Sequence, residues 1–200
     1  WPTWQVVRDI IVPATRKSRC RYAELPELKD YFGPATVFMS HAWGAKFGNL
    51  VGAVCHGAAK DRIVWIDIFA VRQWPGNKAD LDFRGIIPLC KALVVTISPV
   101  NGLINYMFGA SVDMDKQHPA KKFLKSEEGK LVKEQNPFFR LWCVVEVCAA
   151  VISNIPVVIK GGECIRQILS NGKVAHFFDT ISTPCSAKIF STEFTRSRII

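Results

Sequence analysis

One carboxylate stands alone in the most apolar helical stretch of the chain. The stretch F-F-R-L-W-C-V-V-E-V-C-A-A-V-I-S, residues 138–153, carries Glu146 as its only charged residue after Arg140. An unpaired buried carboxylate is costly, so Glu146 must be paired, protonated or used in chemistry. Trp142 lies four residues earlier, on the same helix face, where an indole and an acid could together hold a flat ligand. The alternative is a Glu146 that lies at the solvent edge or pairs with Arg140 or another cation.

Further polar residues stand where apolar, strand-like runs end. Ligands of open α/β sheets bind at the carboxyl ends of the strands, so such residues are candidates for the same site. Strand ends are also simply where chains turn polar, which is the competing explanation. The candidates are Ser40, His41 and Trp43 after A-T-V-F-M, Asp67 at the end of R-I-V-W-I-D, and Ser98 at the end of A-L-V-V-T-I-S.

Familiar catalytic motifs are missing from the sequence. It holds no G-x-S-x-G, no G-x-G-x-x-G and no P-loop pattern, which argues against hydrolase, Rossmann and ATPase sites of those types. Ser40 and His41 are neighbours in a predicted strand, so their side chains point to opposite sides and do not form a ready nucleophile–base pair. The seven cysteines include no C-x-x-C pair, which favours a reduced, intracellular protein without a structural zinc site or other metal.

The elements that would position these residues alternate along the chain. Continuously apolar runs typical of β-strands alternate with stretches in which the apolar residues have helical spacing. This pattern predicts an α/β fold with a parallel sheet covered by helices on both faces. We expect a short helix from Glu163 to Leu169, a further short strand in A-H-F-F-D-T, and Asp80 as the cap of a helix that continues to about Lys91. The length of 200 residues fits about one domain. We divide it into an N-terminal extension, 1–34, and a domain, 35–200, with an insertion at about 99–137.

Composition limits the classes of partner. The net charge is +9, but basic and acidic residues are interleaved, which favours a solvated surface over nucleic-acid binding. No apolar run approaches the roughly 18 residues of a membrane helix, so we expect no membrane partner.

The motifs follow one another in an order that resembles a TIR (Toll/interleukin receptor) domain. T-V-F-M-S-H-A-W-G resembles the first strand and loop of that family, R-I-V-W-I-D its second strand, and R-Q-W-P-G-N stands where its BB loop lies. A-L-V-V-T-I-S-P resembles the third strand, R-L-W-C-V-V-E-V the Trp-Cys-x-x-Glu helix of plant TIR domains, and I-P-V-V-I the fourth strand. The similarity covers residues 35–170. The chain resembles still more closely a variant of this domain that is found in green algae and other protists.

This resemblance implies a flavodoxin-like three-layer sandwich with strand order 2-1-3-4-5 and one of two functions. Some TIR domains cleave NAD at the nicotinamide–ribose bond in signalling or defence, and a few make nucleotide signals. Others are scaffolds that assemble with further TIR domains. In the catalytic members a Glu on this helix is essential, and Glu146 occupies that position. The resemblance therefore implies a cytoplasmic NAD glycohydrolase that needs no cofactor beyond NAD as substrate, with self-assembly as a further expectation.

Two departures from the family concern the site. His41-Ala42-Trp43 stands where the family has an aromatic residue, Arg and Gly, and the segment 99–137 is longer than the usual loop. We expect this segment to narrow or cap the site at the carboxyl edge of the sheet, with Phe123 and Leu124 packed there. Glu146 is expected in the first turns of its helix, at the cleft.

Overall fold

A sheet with the strand order β2-β1-β3-β4-β5 organises the protein. The computed structural model describes residues 1–59, 61–98, 125–168 and 173–180. The strands are β1 (Val37–Ser40), β2 (Val64–Trp65), β3 (Ala92–Ile97), β4 (Val157–Ile168) and β5 (Val174–Thr180). β1 pairs in parallel with β2 and β3, and β3 pairs in parallel with β4. The α/β class and a parallel arrangement of four strands are thus confirmed.

The last strand departs from the all-parallel prediction. β5 pairs antiparallel with the second half of β4, from Gly162 opposite Thr180 to Ile168 opposite Val174. Five residues separate these strands, and a connection that short can join only antiparallel neighbours, since a parallel pair needs a crossover of a dozen residues or more. The helix predicted from Glu163 is therefore wrong, because the chain continues there as strand to Ile168.

The helices lie on both sides of this sheet. They are α1 (Thr3–Val6), α2 (Val12–Thr15), α3 (Phe47–Cys55), α4 (Asp67–Ala70), α5 (Phe83–Ile86), α6 (Glu127–Gln135) and α7 (Leu141–Ile152). Single 3-10 turns cover Tyr22–Glu24, Pro26–Tyr31, Lys78–Leu81, Ile87–Leu89 and Pro137–Phe139. No helix of the described ranges is long and apolar enough to cross a membrane.

Two apolar cores, one on each sheet face, hold the layers together. Successive strand residues point to opposite faces. Met39 and Val94 pack with Leu50 of α3 on one face, whereas Phe38 and Leu93 face the other core. That second core also contains residues of α5 and α7, namely Phe83 and Ala150. Both sheet faces are buried, which explains why the strand sequences are continuously apolar.

The N-terminal helical region packs on the first of these cores. α1 and α2 are joined by a π-helical turn, Val7–Ile11, and Ile11 is buried beside the strand residues. Pro13 has no N–H to donate and its ring crowds the preceding turn, so the wider π turn before it makes room. The Thr3 amide donates to the Ala45 carbonyl at 3.0 Å, which anchors α1 on the loop that follows β1.

The described part of the predicted insertion contains α6. The Ser126 hydroxyl caps this helix by accepting from the Gly129 amide at 3.1 Å. A Cβ atom on Gly44 would lie 2.6 Å from the Glu134 carbonyl oxygen, so a side chain at position 44 would clash with α6. α6 therefore rests on the loop after β1. The prediction for Phe123 and Leu124 lies outside the described residues.

Candidate active site

A cavity of about 260 Å³ opens where β1 and β2 end and α7 begins. Among the residues predicted from the sequence, it is lined by His41, Trp43, Asp67, Trp142 and Glu146. The rest of its lining is Met39, Val71, Gln73, Asn77, Leu81, Phe83, Arg140 and Cys143. Residues that are far apart in sequence thus meet at the carboxyl edge of the sheet.

Glu146 lies in the second turn of α7 and points into this cavity with little solvent contact. The residue is only 6% exposed, and its Oε2 atom has no hydrogen-bond partner in the described structure. Burial raises the pKa of Glu146 to about 8, a rise that the nearby Ser40 hydroxyl opposes and the charge of Asp67 reinforces. Arg140 lines the same cavity, but no ion pair joins it to Glu146 within the described ranges. Glu146 is therefore largely protonated at neutral pH.

His41 supplies a second buried polar group. Its Nε2 atom lies 3.7 Å from Asp67 Oδ1, beyond hydrogen-bond distance, and has no other partner among the described atoms. Burial lowers the pKa of His41; the charge of Asp67 works against this shift, and that of Arg140 adds to it. The imidazole is thus neutral at physiological pH. Its Nε2 atom can donate one hydrogen bond to a ligand or accept one from it, depending on the tautomer.

Asp67 is the best-anchored member of the group. Its Oδ2 atom accepts from the Trp43 indole at 2.7 Å, and its Oδ1 atom accepts from the Ile68 amide at 2.7 Å. The first of these bonds ties the loop after β1 to the start of α4. The carboxylate and the indole therefore hold each other in fixed positions on one wall of the cavity.

Ser40 and Cys143 lie behind Glu146. Ser40 is buried on the sheet face that carries Phe38, and its hydroxyl has no well-formed hydrogen bond in the described part of the chain. The Cys143 thiol donates to the His41 carbonyl at 3.3 Å. Burial, with the charge of Glu146, raises the pKa of Cys143 to about 11, so it is a thiol and not a nucleophile.

Ser98 is separated from the other predicted site residues. It lies on the opposite face of β3, where its hydroxyl accepts from the Asn49 side chain at 3.0 Å. The side-chain oxygen of Asn49, Oδ1, in turn accepts from the Cys164 amide at 2.9 Å. Ser98 thus belongs to a buried hydrogen-bond chain between α3 and β4, and it does not line the cavity.

The sequence reasoning missed several residues of the cavity wall. Phe83, Gln73 and Asn77 come from the region that was expected to form a loop and a helix, and no local pattern marked them. Cys143 could have been found, because it lies three residues before Glu146 and so shares its helix face.

The described residues hold neither a metal site nor a disulfide. No group of three or more His, Cys, Asp or Glu side chains is close enough to bind a metal ion in these ranges. None of the six cysteines that the structure describes is joined in a disulfide. Comparisons with family models, with curated proteins and with solved structures give no match to this chain.

The chemistry that this arrangement allows follows from its unpartnered atoms. Ser40 Oγ, His41 Nε2 and Glu146 Oε2 are all buried and all lack a hydrogen bond to the described protein. A buried polar atom without a partner costs about 1–3 kcal/mol, so such atoms are rare unless something else binds them. Two of these atoms, His41 Nε2 and Glu146 Oε2, belong to residues that line the cavity, which indicates a site for a polar ligand.

Proposed function

We propose that the cavity binds the nicotinamide riboside portion of NAD and that the protein, as a TIR-like domain with a flavodoxin-like fold, cleaves the nicotinamide–ribose bond. The observation that carries this proposal is the unpartnered Glu146 carboxyl group beside an aromatic wall. The motif order of the sequence supports it independently. Typical small-molecule sites measure about 300–1,000 Å³, so a cavity of about 260 Å³ suits a part of the dinucleotide, with the rest outside.

The reaction needs little machinery. The bond from ribose C1′ to the nicotinamide nitrogen breaks with its electron pair going to nitrogen, which turns the cationic ring into neutral nicotinamide. Water then adds to C1′ and releases one proton, which gives ADP-ribose. The transition state is oxocarbenium-like, and an adjacent carboxylate stabilises such a charge. Glu146 would supply that carboxylate.

Binding of a cation would prepare Glu146 for this role. The pKa of Glu146 is about 8, chiefly because of burial. A positive charge within about 4–6 Å favours the ionised form of a carboxyl group. The pyridinium ring of NAD would therefore lower this pKa and convert the acid to the carboxylate that the step requires.

The other walls would hold and orient the substrate. Trp43, Phe83 and Trp142 offer aromatic surfaces, and a cation over such a ring gains roughly 0.5–2 kcal/mol. The Phe83 and Trp142 rings meet edge to face at 5.6 Å and 89°. His41 would hydrogen-bond a ribose hydroxyl or the carboxamide.

The deciding experiment incubates the purified chain with NAD and follows nicotinamide by chromatography. We expect the parent to release nicotinamide and Glu146→Gln to lose on the order of 10²-fold or more in rate, the scale of removing one preorganised electrostatic contact. Glu27→Gln is the matched control, because Glu27 is an exposed carboxylate outside the cavity. A parent that releases no nicotinamide, alone or when concentrated, contradicts the proposal, as does an unchanged rate in Glu146→Gln.

A scaffold that assembles with TIR-like domains, including its own copies, is the second candidate function. It is favoured by apolar residues on the outer face of α7, where Leu141 is 77% and Ile152 is 81% exposed. Such a scaffold would show concentration-dependent association in sedimentation velocity without any NAD turnover. The cytoplasm remains the proposed location for either function, on the basis of the cysteine pattern.

A further inference from the structure

We infer that the N-terminal segment 15–21 holds the wall of the cavity in place, with Arg21 and Asp80 as positioning residues. The wall in question is the loop 71–81, called the pocket loop below, which contributes Val71, Gln73, Asn77 and Leu81 to the cavity lining. The inference rests on the proposed function for its effect on the substrate. The contacts themselves do not depend on that function.

Asp80 is the anchor of the pocket loop. Its side chain is 0% exposed, and it accepts hydrogen bonds from Arg72 Nε at 2.7 Å and from the Arg72 amide at 3.0 Å. The Arg21 guanidinium donates to the same carboxylate at 2.7 Å, across 59 positions of sequence. Burial alone would raise the pKa of Asp80, but the hydrogen bonds from Arg72 and Arg21 outweigh it and hold that pKa well below its usual range. Asp80 is therefore a charged, fully paired centre.

A second tether joins the same two regions. The Trp74 indole donates to the Thr15 hydroxyl at 3.1 Å, and that hydroxyl donates to the Ile11 carbonyl at 2.8 Å. The Arg19 guanidinium lies 5.7 Å from the centre of the Trp74 ring, in cation–π geometry. Both ends of the segment 15–21 thus contact the pocket loop.

The pocket loop has little regular structure of its own to fix it. Apart from a 3-10 turn at Lys78–Leu81, it consists of turns around Gly76, whose φ of 90° lies in the region that favours glycine. The Asn77 side chain donates to the Arg72 carbonyl at 2.9 Å, which closes the loop on itself but not on the sheet. Val71 and Leu81, at the two ends of the loop, pack on the second core. The contacts from 15–21 therefore orient the part between them, which carries Gln73 and Asn77 into the cavity lining.

Arg21→Ala tests this inference without orphaning a buried charge, because Asp80 keeps its hydrogen bonds from Arg72. We expect hydrogen exchange of the amides in 71–81 to become about tenfold faster, as one charge-assisted hydrogen bond is lost. We expect KM for NAD to rise by about three- to tenfold while kcat changes by less than about threefold, because a looser wall weakens binding more than the chemical step. Arg21→Lys should restore part of both effects.

Arg8→Ala is the control, since Arg8 is an exposed arginine whose partner, Asp9, is its neighbour in sequence. Unchanged exchange over 71–81 in Arg21→Ala, or equal effects in Arg8→Ala, would overturn the tether. Faster exchange with unchanged KM would overturn the positioning role. A parent without NAD turnover would overturn the proposed function instead, and the exchange measurement would still decide whether Arg21 holds the loop.

Discussion

Two hollows of this protein differ in size and in chemistry. The larger, of about 680 Å³, runs along the edge strand β2 and is lined mainly by apolar side chains, among them Tyr22, Phe47 and Phe69. We call it the β2-edge groove. The smaller is the cavity of about 260 Å³ at Glu146. The pocket loop takes part in both, since Ala79 and Asp80 line the groove while other residues of this loop line the cavity, and α4 and α5 likewise contribute residues to each.

The difference lies in how the polar atoms are used. In the β2-edge groove, the carboxylate of Asp80 and that of Glu24 are both paired with Arg21, whose Nε atom alone is buried without a partner among the described residues that line this groove. In the small cavity, Glu146 Oε2 and His41 Nε2 are buried without partners. Paired charges stabilise the fold, whereas unpaired ones are a cost that binding can recover. The acids of the groove are paired, whereas the cavity holds an unpaired carboxyl group and an unpaired imidazole, so we propose the ligand site in the smaller hollow and a structural role for the charges of the larger one.

The largest expected effect is on how the free energy of unfolding depends on pH. Its measurement tests whether Glu146, unlike the acids of the groove, is unpaired. The pKa of Glu146 is about 8 in the folded protein against a reference value of 4.5. A folded state that holds its proton more tightly is stabilised fully below about pH 4.5, and this stabilisation is lost as the pH rises to about 8. The free energy of unfolding of the parent should thus fall by on the order of 3–5 kcal/mol over this window from Glu146 alone.

Glu146→Gln removes this titration because an amide side chain does not ionise in this pH range. Urea unfolding at several pH values between 5 and 8 measures the difference between the parent and the variant, in which the other titrating groups cancel. We expect the free energy of unfolding of Glu146→Gln to rise steadily relative to that of the parent as the pH rises. Glu27→Gln should follow the parent at every pH. Parallel curves for Glu146→Gln and the parent would mean that Glu146 is paired in solution.

Part of the cavity lining could be predicted from the sequence alone. That Glu146 and Trp142 lie side by side could be predicted because helix spacing alone brings them together, and both line the cavity. His41, Trp43 and Asp67 could be predicted because parallel strands end at one edge of the sheet. Whether they act on NAD stays a prediction.

Other features depended on information that local sequence does not hold. Ser98 also ends a strand, but its side chain points to the opposite face of the sheet, and only the register of β3 decides which face that is. Asp80 was expected to cap a helix, yet Asp82 caps α5 by accepting from the Gly85 amide. Of the two arginines that pair with Asp80, Arg21 lies too far away in sequence for any local pattern to reveal it.

A smaller effect is expected at the rim of the cavity. Trp142 is 56% exposed and touches Phe83 edge to face, so Trp142→Ala should remove aromatic surface from the substrate without disturbing the core. An aromatic contact contributes roughly 0.5–1.5 kcal/mol, which predicts a two- to tenfold rise in KM at nearly constant kcat. Steady-state kinetics of nicotinamide release measure both. Trp1→Ala is the matched control, since Trp1 is exposed and lines neither hollow. A fall in kcat at constant KM would place Trp142 in the chemical step instead.

The smallest effect is expected from filling the β2-edge groove. Val51 is half-exposed on α3 and lines only this groove, so Val51→Phe adds bulk there and leaves the Glu146 cavity unchanged. Such surface substitutions usually change stability by less than about 0.5 kcal/mol, and we expect kcat/KM for NAD to stay within about twofold of the parent. Gln73→Phe adds bulk to the small cavity and serves as the contrast, with an expected rise in KM of at least several-fold because it occupies the volume that the substrate needs. If Val51→Phe impaired nicotinamide release as strongly as Gln73→Phe, the larger hollow would be the binding site, and volume would have been the better guide than unpartnered polar atoms.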